Sequence, residues 1–121
     1  MADTKTVLVV DDSRMTRMMI RTIIENHHPN WELLEADCGE QALQVCQGKA
    51  IDIMTLDVNM PGMNGLELGE EMRKRYPMAD ISLVTANIQD SIREQAEASA
   101  FNFVAKPITE DRIMGYIQAV A

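Results

Sequence analysis

The sequence predicts an α/β domain with a doubly wound, mainly parallel sheet. Five short apolar runs alternate with five helical patterns along the chain, the order expected of strands joined by helical crossovers. Several of these runs are nearly continuous and rich in β-branched residues, which suits strands covered on both faces. A third feature agrees and bears on function: four of the five runs end in polar residues.

The first run, Val7–Val10, stops at the adjacent acids Asp11 and Asp12. A helix is predicted from Ser13 to Asn26, with Met19, Ile20, Ile23 and Ile24 facing inward and Thr16 on the same side. Leu33–Ala36 is the second strand, preceded by Trp31, which is expected to pack. Cys38–Gln47 is the second helix, opened by Asp37 and Glu40 as a capping pair. Ile51–Leu56 is the third strand, followed by Asp57. The third helix, Asn64–Tyr76, opens on Asn64 and Glu67 and stops at Pro77, with Arg73, Lys74 and Arg75 complementing its dipole. Ile81–Val84 then leads to Thr85, Gln89–Ala98 forms a helix, Asn102–Ala105 leads to Lys106, and Thr109–Val120 closes the pattern.

Composition narrows the class. The 121 residues suit one domain spanning 1–121, with no output domain expected. Aromatics are 4% and methionines number ten, so the core must be aliphatic. The net charge of −8 argues against direct nucleic-acid binding. No apolar run approaches the roughly 20 residues of a membrane span, and no signal peptide opens the chain. Cys38 and Cys46 lie about 12 Å apart along a helix at roughly 1.5 Å per residue, too far for a disulfide. Two reduced thiols suit a cytoplasmic protein. His27 and His28 are adjacent and cannot face one ligand on a helix.

The polar strand ends carry the chemistry. In open parallel sheets, ligands bind outside the carboxyl ends of the strands. Asp11, Asp12 and Asp57 converging there would need a cation, and hard oxygen ligands suit Mg²⁺. Lys106 and Thr85 supply an ammonium and a hydroxyl for phosphate oxygens. A carboxylate is also a nucleophile able to form an acyl phosphate. The set therefore points to phosphoryl transfer onto aspartate, with the protein supplying position and charge.

The motifs VVDDS, LDVNMPGMNG, LVTA and AKP, in this order, resemble the receiver domain of two-component response regulators, of the single-domain chemotaxis-regulator type. The resemblance covers about Thr6 to Val120. It implies a five-stranded sheet in the order 2-1-3-4-5 with five helices. It also implies Asp57 as phosphoacceptor, and Mg²⁺ (Mn²⁺ as a substitute) held directly by Asp12, Asp57 and the backbone carbonyl of Asn59, with Asp11 acting on the metal mainly through water. Thr85 and Phe103 match the switch pair, Lys106 the phosphate-binding lysine, and Pro107 a proline whose peptide bond is often cis. The implied partners are a histidine kinase or phosphotransfer protein as donor, and a downstream protein met through the fourth helix, fifth strand and fifth helix. The implied state is a monomer that can dimerise on activation.

Arg14, Arg17 and Arg21 share one helical spacing, and Met15 and Met18 share it one step along. With the inward face already filled, these five side chains are expected to form the donor-docking surface, with methionines as adaptable contacts. Phe101 is either a second exposed anchor or a core filler. Ser99 and Asn102 stand where receivers often carry glycine, and Asn is expected to take the left-handed turn. Asn59 and Asn87 occupy positions that tune acyl-phosphate lifetime in the family. Val58 stands where some relatives have tryptophan.

Three rivals differ in chemistry. A haloacid-dehalogenase-type phosphatase needs D-x-D, whereas Asp57 is followed by Asn59. A flavin module needs a Ser/Thr/Gly phosphate loop where this chain has acids. A degenerate receiver, binding partners constitutively, would not need the intact polar set. Among receivers, a phosphorelay shuttle or phosphate sink is the alternative to a chemotaxis switch.

Overall fold

The computed structural model describes residues 4–86 and 90–120. Its elements in chain order are β1 (Thr6–Val10), α1 (Arg14–His27), β2 (Glu32–Ala36), α2 (Gly39–Val45), β3 (Ile53–Asp57), α3 (Gly65–Arg75), β4 (Asp80–Thr85), α4 (Asp90–Ala98), β5 (Asn102–Ala105) and α5 (Glu110–Val120). All strand pairs are parallel. The sheet order is β2-β1-β3-β4-β5, as expected. The chain winds outward in one direction from β1 and in the other from β3, so the crevice between their carboxyl ends is the topological switch point.

Alternation along the strands divides the core. Val7, Val9, Ile53, Val84 and Val104 pack with Ile20, Ile24, Ile113 and Ile117 of α1 and α5. Leu8, Val10, Met54, Leu56, Ile81 and Leu83 pack on the opposite side with Ala42, Leu68, Met72 and Ala96 of α2, α3 and α4. Both faces are therefore covered, which explains the nearly continuous apolar runs in β1, β3 and β4, where Thr55 and Ser82 are buried as well. Trp31 packs as expected, stacked on the His28 ring at 3.8 Å.

Two helix starts follow the sequence closely. Ser13 caps α1, its hydroxyl accepting from the Thr16 amide at 3.3 Å. Asn64 and Glu67 form a reciprocal capping box on α3, at 2.9 and 3.1 Å. The α2 start differs. Cys38, not Asp37, is the cap residue and makes no side-chain cap bond. The third helical residue is consequently Gln41, whose side-chain carbonyl reaches back to the Asp37 amide at 2.6 Å.

The turn into β5 also differs from expectation. The left-handed residue is Ala100 (φ 58°), not Asn102, which already lies in the strand. Arg73 braces this turn. Its guanidinium donates to the Ala100 carbonyl at 3.3 Å and to Pro77 and Ala79 carbonyls at 3.1 and 2.6 Å. It also lies over the Phe101 ring, 5.6 Å from its centroid. Arg73 thus ties the end of α3 to two loops, which is more than dipole complementarity.

Candidate functional site

Strand register builds the pocket. Val10 pairs with both Ala36 and Leu56, so Asp11 and Asp57, each one residue further, emerge side by side from adjacent strands. Asp57 pairs with Val84, and Thr85 with Ala105, so Thr85 and Lys106 follow one step beyond on the other flank. The Lys106 amide donates to the Thr85 carbonyl at 2.9 Å, fixing the lysine to the end of β4. The Lys106–Pro107 peptide bond is cis.

The three acids converge. Asp11, Asp12 and Asp57 each present a carboxylate oxygen within 4.8 Å of the others. Asp11 and Asp57 are buried, at 1% and 2% exposure, while Asp12 is exposed. The facing cation is Lys106, whose Nζ lies 3.2 Å from Asp57 Oδ1 and 3.5 Å from Asp11 Oδ2. Asp11 Oδ1 accepts from the Ser13 amide at 2.9 Å, and Asp57 Oδ1 from the Asn59 amide at 3.3 Å. Thr85 is buried at the same edge. Phe103 is half-buried and packs on the α2–α3 side of the sheet.

The electrostatics follow from this crowding. Burial, and then the neighbouring Asp11 charge, push the Asp57 carboxyl up from 3.8 to about 6, against the pull of Lys106 and the Asn59 amide. Burial alone would lower the Lys106 ammonium, but Asp11 and Asp57 outweigh it and hold it above its ordinary value.

One lysine leaves the pocket short of positive charge. Asp11 Oδ2 is fully buried and, beyond its 3.5 Å ion pair with Lys106, accepts no hydrogen bond, which is costly for a carboxylate oxygen. A buried carboxylate oxygen without a hydrogen bond, two further carboxylates within 4.8 Å and all-oxygen donors fit a hard divalent cation of the Mg²⁺ kind. Asp11, Asp12 and Asp57 are the residues whose oxygens converge to hold it.

One contributor was not singled out from the sequence. A Cβ at Gly65 would lie 2.3 Å from the Asp57 carbonyl oxygen. Glycine alone lets α3 begin this close to β3, and the Gly65 amide donates to the Val58 carbonyl at 3.2 Å. The Gly in MNG was the available signal.

The expected docking surface needs correction in three places. Arg17 is not on a free face: its side chain is 15% exposed and tied to Glu35 and to the Asp11 carbonyl. Arg21 joins the same carboxylate and also pairs with Glu25 at 3.1 Å. Phe101 is 5% exposed and is a core filler, its ring set against Gly69. Met19, expected inward, is 42% exposed. Arg14, Met15 and Met18 do face outward and, with Met19, Thr22 and Ile23, line an open apolar groove of about 750 Å³. Asn87 and Gln89 lie outside the described residues.

Comparison with known proteins agrees with the pocket. The profile of the response regulator receiver domain matches residues 7–118. Chemotaxis protein CheY of Thermotoga maritima is 34% identical over 119 residues, covering 97% of this chain and 98% of that protein. A protein-glutamate methylesterase/protein-glutamine glutaminase of Pyrococcus horikoshii is 40% identical over 104 residues, covering 84% of this chain but 28% of that protein. Several other curated relatives are also longer, the chain spanning between 28% and 53% of their length. Chemotaxis protein CheY4 of Vibrio cholerae superposes with a TM-score of 0.90 at 26% identity, covering 98% of this chain and 100% of that one. The chain belongs to the response regulator receiver domain family of two-component signalling, and is of the CheY-like kind.

Proposed function

We propose that this domain is a phosphorylation-activated switch in which Asp57 accepts a phosphoryl group from a histidine kinase or phosphotransfer protein. The observation that carries this reading is the convergence of Asp57 with Asp11, Asp12 and Lys106 at one sheet edge. An Asp57 carboxylate oxygen forms the new P–O bond as the P–N bond of the donor phosphohistidine breaks, and the electron pair leaves with the imidazole nitrogen. Bound Mg²⁺, for which Mn²⁺ substitutes, supplies charge neutralisation to phosphoryl oxygens and carboxylates in such chemistry. Lys106, already 3.2 Å from Asp57 Oδ1, is placed to meet a phosphoryl oxygen. The Thr85 hydroxyl turns to another. The backbone bond from Lys106 to Thr85 at 2.9 Å keeps the two residues side by side at the pocket.

The switch then acts by biasing two arrangements of the domain. In this reading movement of Thr85 frees space for Phe103, a half-buried side chain two residues before Ala105, the register partner of Thr85. The surface of α4, β5 and α5 then changes its affinity for a downstream protein. We take the output to be protein contact by this domain, in the cytoplasm. The two free thiols are consistent with that compartment, and no helix among the described residues is long and apolar enough to cross a membrane. A phosphorelay shuttle or phosphate sink uses the same pocket.

The test is intact mass after incubation with acetyl phosphate, with and without Mg²⁺, beside Asp57→Asn. The expected result is one phosphoryl group gained, dependent on both Mg²⁺ and Asp57. Beryllofluoride binding without any phosphoryl gain would instead indicate a strict requirement for a protein donor. Neither phosphoryl gain nor beryllofluoride binding in a folded protein would leave the degenerate receiver as the reading.

A further inference from the structure

Between the acidic pocket and β2 lies a polar link that the phosphoacceptor chemistry does not use. Arg17, one turn into α1, donates from Nη1 to the Asp11 main-chain carbonyl at 2.7 Å. Its Nε donates to Glu35 Oε1 at 3.1 Å. The other Glu35 oxygen accepts from Arg21, which also pairs with Glu25. Burial would raise the Glu35 carboxyl, yet bonds from Arg21 and then Arg17 hold it below the usual range. Glu35 is therefore an ionised anchor, and Arg17 is gripped at one end by a strand and at the other by the pocket loop.

The position of that grip matters. The Asp11 amide donates to the Ala36 carbonyl at 3.2 Å, next to Glu35 on the same strand. Both polar backbone groups of Asp11 are thus pinned to the end of β2, one directly and one through Arg17. The Asp11 carbonyl belongs to the peptide leading into Asp12. Among the described residues no hydrogen bond or ion pair reaches the exposed Asp12 carboxylate, so the backbone that carries it is the part of Asp12 the structure holds in place. A planar guanidinium can hold two fixed acceptors at once, which an ammonium or a water does less well.

We propose that Arg17, anchored by Glu35, is a positioning residue that holds the Asp11–Asp12 loop in its cation-binding geometry. This rests on the reading of the pocket as a divalent-cation site. The sign of the effect separates positioning from simple electrostatics. Arg17 is a cation near an anionic pocket, so its charge alone opposes cation binding. Removing it would strengthen binding if charge were its only influence, and weaken binding if geometry were.

The experiment is Mn²⁺ titration by calorimetry on the full chain and on Arg17→Ala, Arg17→Lys and Asp57→Asn, together with amide hydrogen exchange at Ser13. The Ser13 amide reports the loop directly, since it donates to Asp11 Oδ1. Arg17→Ala is expected to weaken Mn²⁺ binding about tenfold, the lower end for groups that orient ligands, and to speed Ser13 exchange. Arg17→Lys keeps the charge, guards against a failure to fold, and is expected to weaken binding severalfold. Adding Glu35→Ala to Arg17→Ala is expected to cost little more, as one linked unit requires. Binding by either Arg17 variant that is unchanged or tighter, with Ser13 exchange unaltered, overturns the proposal. If the unmodified chain binds no Mn²⁺, or Asp57→Asn binds it equally well, the cation-site reading fails first and this proposal falls with it.

Discussion

Lys106 Nζ sits 3.2 Å from Asp57 Oδ1, bridging a strand-end lysine to a carboxylate that is 2% exposed. The same ammonium also pairs with Asp11 Oδ2 at 3.5 Å, so one cation faces three carboxylates and offsets only part of the pocket's negative charge. A pocket held short of positive charge is destabilised by its own carboxylates and receptive to cations. Stability and function are therefore opposed here.

The first consequence concerns pH. The Asp57 carboxyl is raised to about 6, above the ordinary aspartate value of about 3.9 in an unfolded chain. The folded state thus holds this proton more tightly, and stability from this group falls as pH rises from about 4 to about 6. Above that window the full penalty applies, at most on the order of 3 kcal/mol for such a displacement. Asp57→Asn removes the charge. Urea melts without divalent ions should show the variant more stable at pH 8, with the advantage largely gone at pH 4. Equal gains at both pH values would assign the effect to something other than this titration.

Divalent cations should reverse the penalty. At neutral pH, Mg²⁺ at tenfold over its Kd should add about 1.4 kcal/mol by linkage. Thermal melts with Mg²⁺, with Ca²⁺ and with matched NaCl would check it. The increment should vanish in Asp57→Asn, and an equal rise with NaCl would mean general screening rather than a site.

A third consequence is steric. Gly65→Ala places a methyl group 2.3 Å from the Asp57 carbonyl oxygen, against backbone that cannot turn aside. The expected loss is about 3 kcal/mol, the upper end for overpacking, with phosphoryl acceptance reduced because the displaced backbone is that of Asp57. Chemical denaturation and labelling with acetyl phosphate read the two effects separately. A stable, fully active variant would show that α3 can move.

The contrast between Asp57 and Arg17 explains what the sequence could disclose. Asp11, Asp57, Thr85 and Lys106 each end or directly follow an apolar strand, so topology alone brings them to one edge. Arg17 has its partner Glu35 on another element, 18 residues away. Helical periodicity correctly grouped Arg14, Arg17 and Arg21 on one face, but could not show that a strand carboxylate lies beneath two of them. Phe101 was equally opaque, because its burial depends on the absence of a side chain at Gly69. The α2 cap was misplaced by one residue, since Asp37 suits a cap by type and Cys38 does not, yet Cys38 holds the position. Packing between distant elements decided Arg17 and Phe101, and composition carries little trace of it.

Phe101 now yields a prediction as a core residue. At 5% exposure, with Arg73 over its ring at 5.6 Å, its replacement by alanine should cost about 3–5 kcal/mol. Arg73→Ala should cost less, about 1–3 kcal/mol, because it leaves backbone carbonyls at Ala79 and Ala100 without their donor. Denaturant melts of both variants give the ranking. Near-neutral stability in Phe101→Ala would return that residue to the surface.

The final prediction concerns the donor. Arg17 is unsuited to testing the α1 surface, because its reversal to Glu would also release the Asp11 carbonyl. Met15 and Met18 are suited: they are 72% and 55% exposed. Both line the apolar groove on α1, and adaptable thioethers are effective partner contacts. Met15→Glu and Met18→Glu should change stability by less than about 0.5 kcal/mol, as exposed substitutions usually do. Acetyl phosphate should label them at the unmodified rate, since that small donor touches only the pocket. Transfer from a cognate phosphohistidine protein should slow by about tenfold for the pair, roughly 1.4 kcal/mol of binding. The ratio of the two rates is the measurement. If both slow together, the substitutions have reached the pocket. If neither slows, the donor docks elsewhere and the methionine groove on α1 belongs to a different partner.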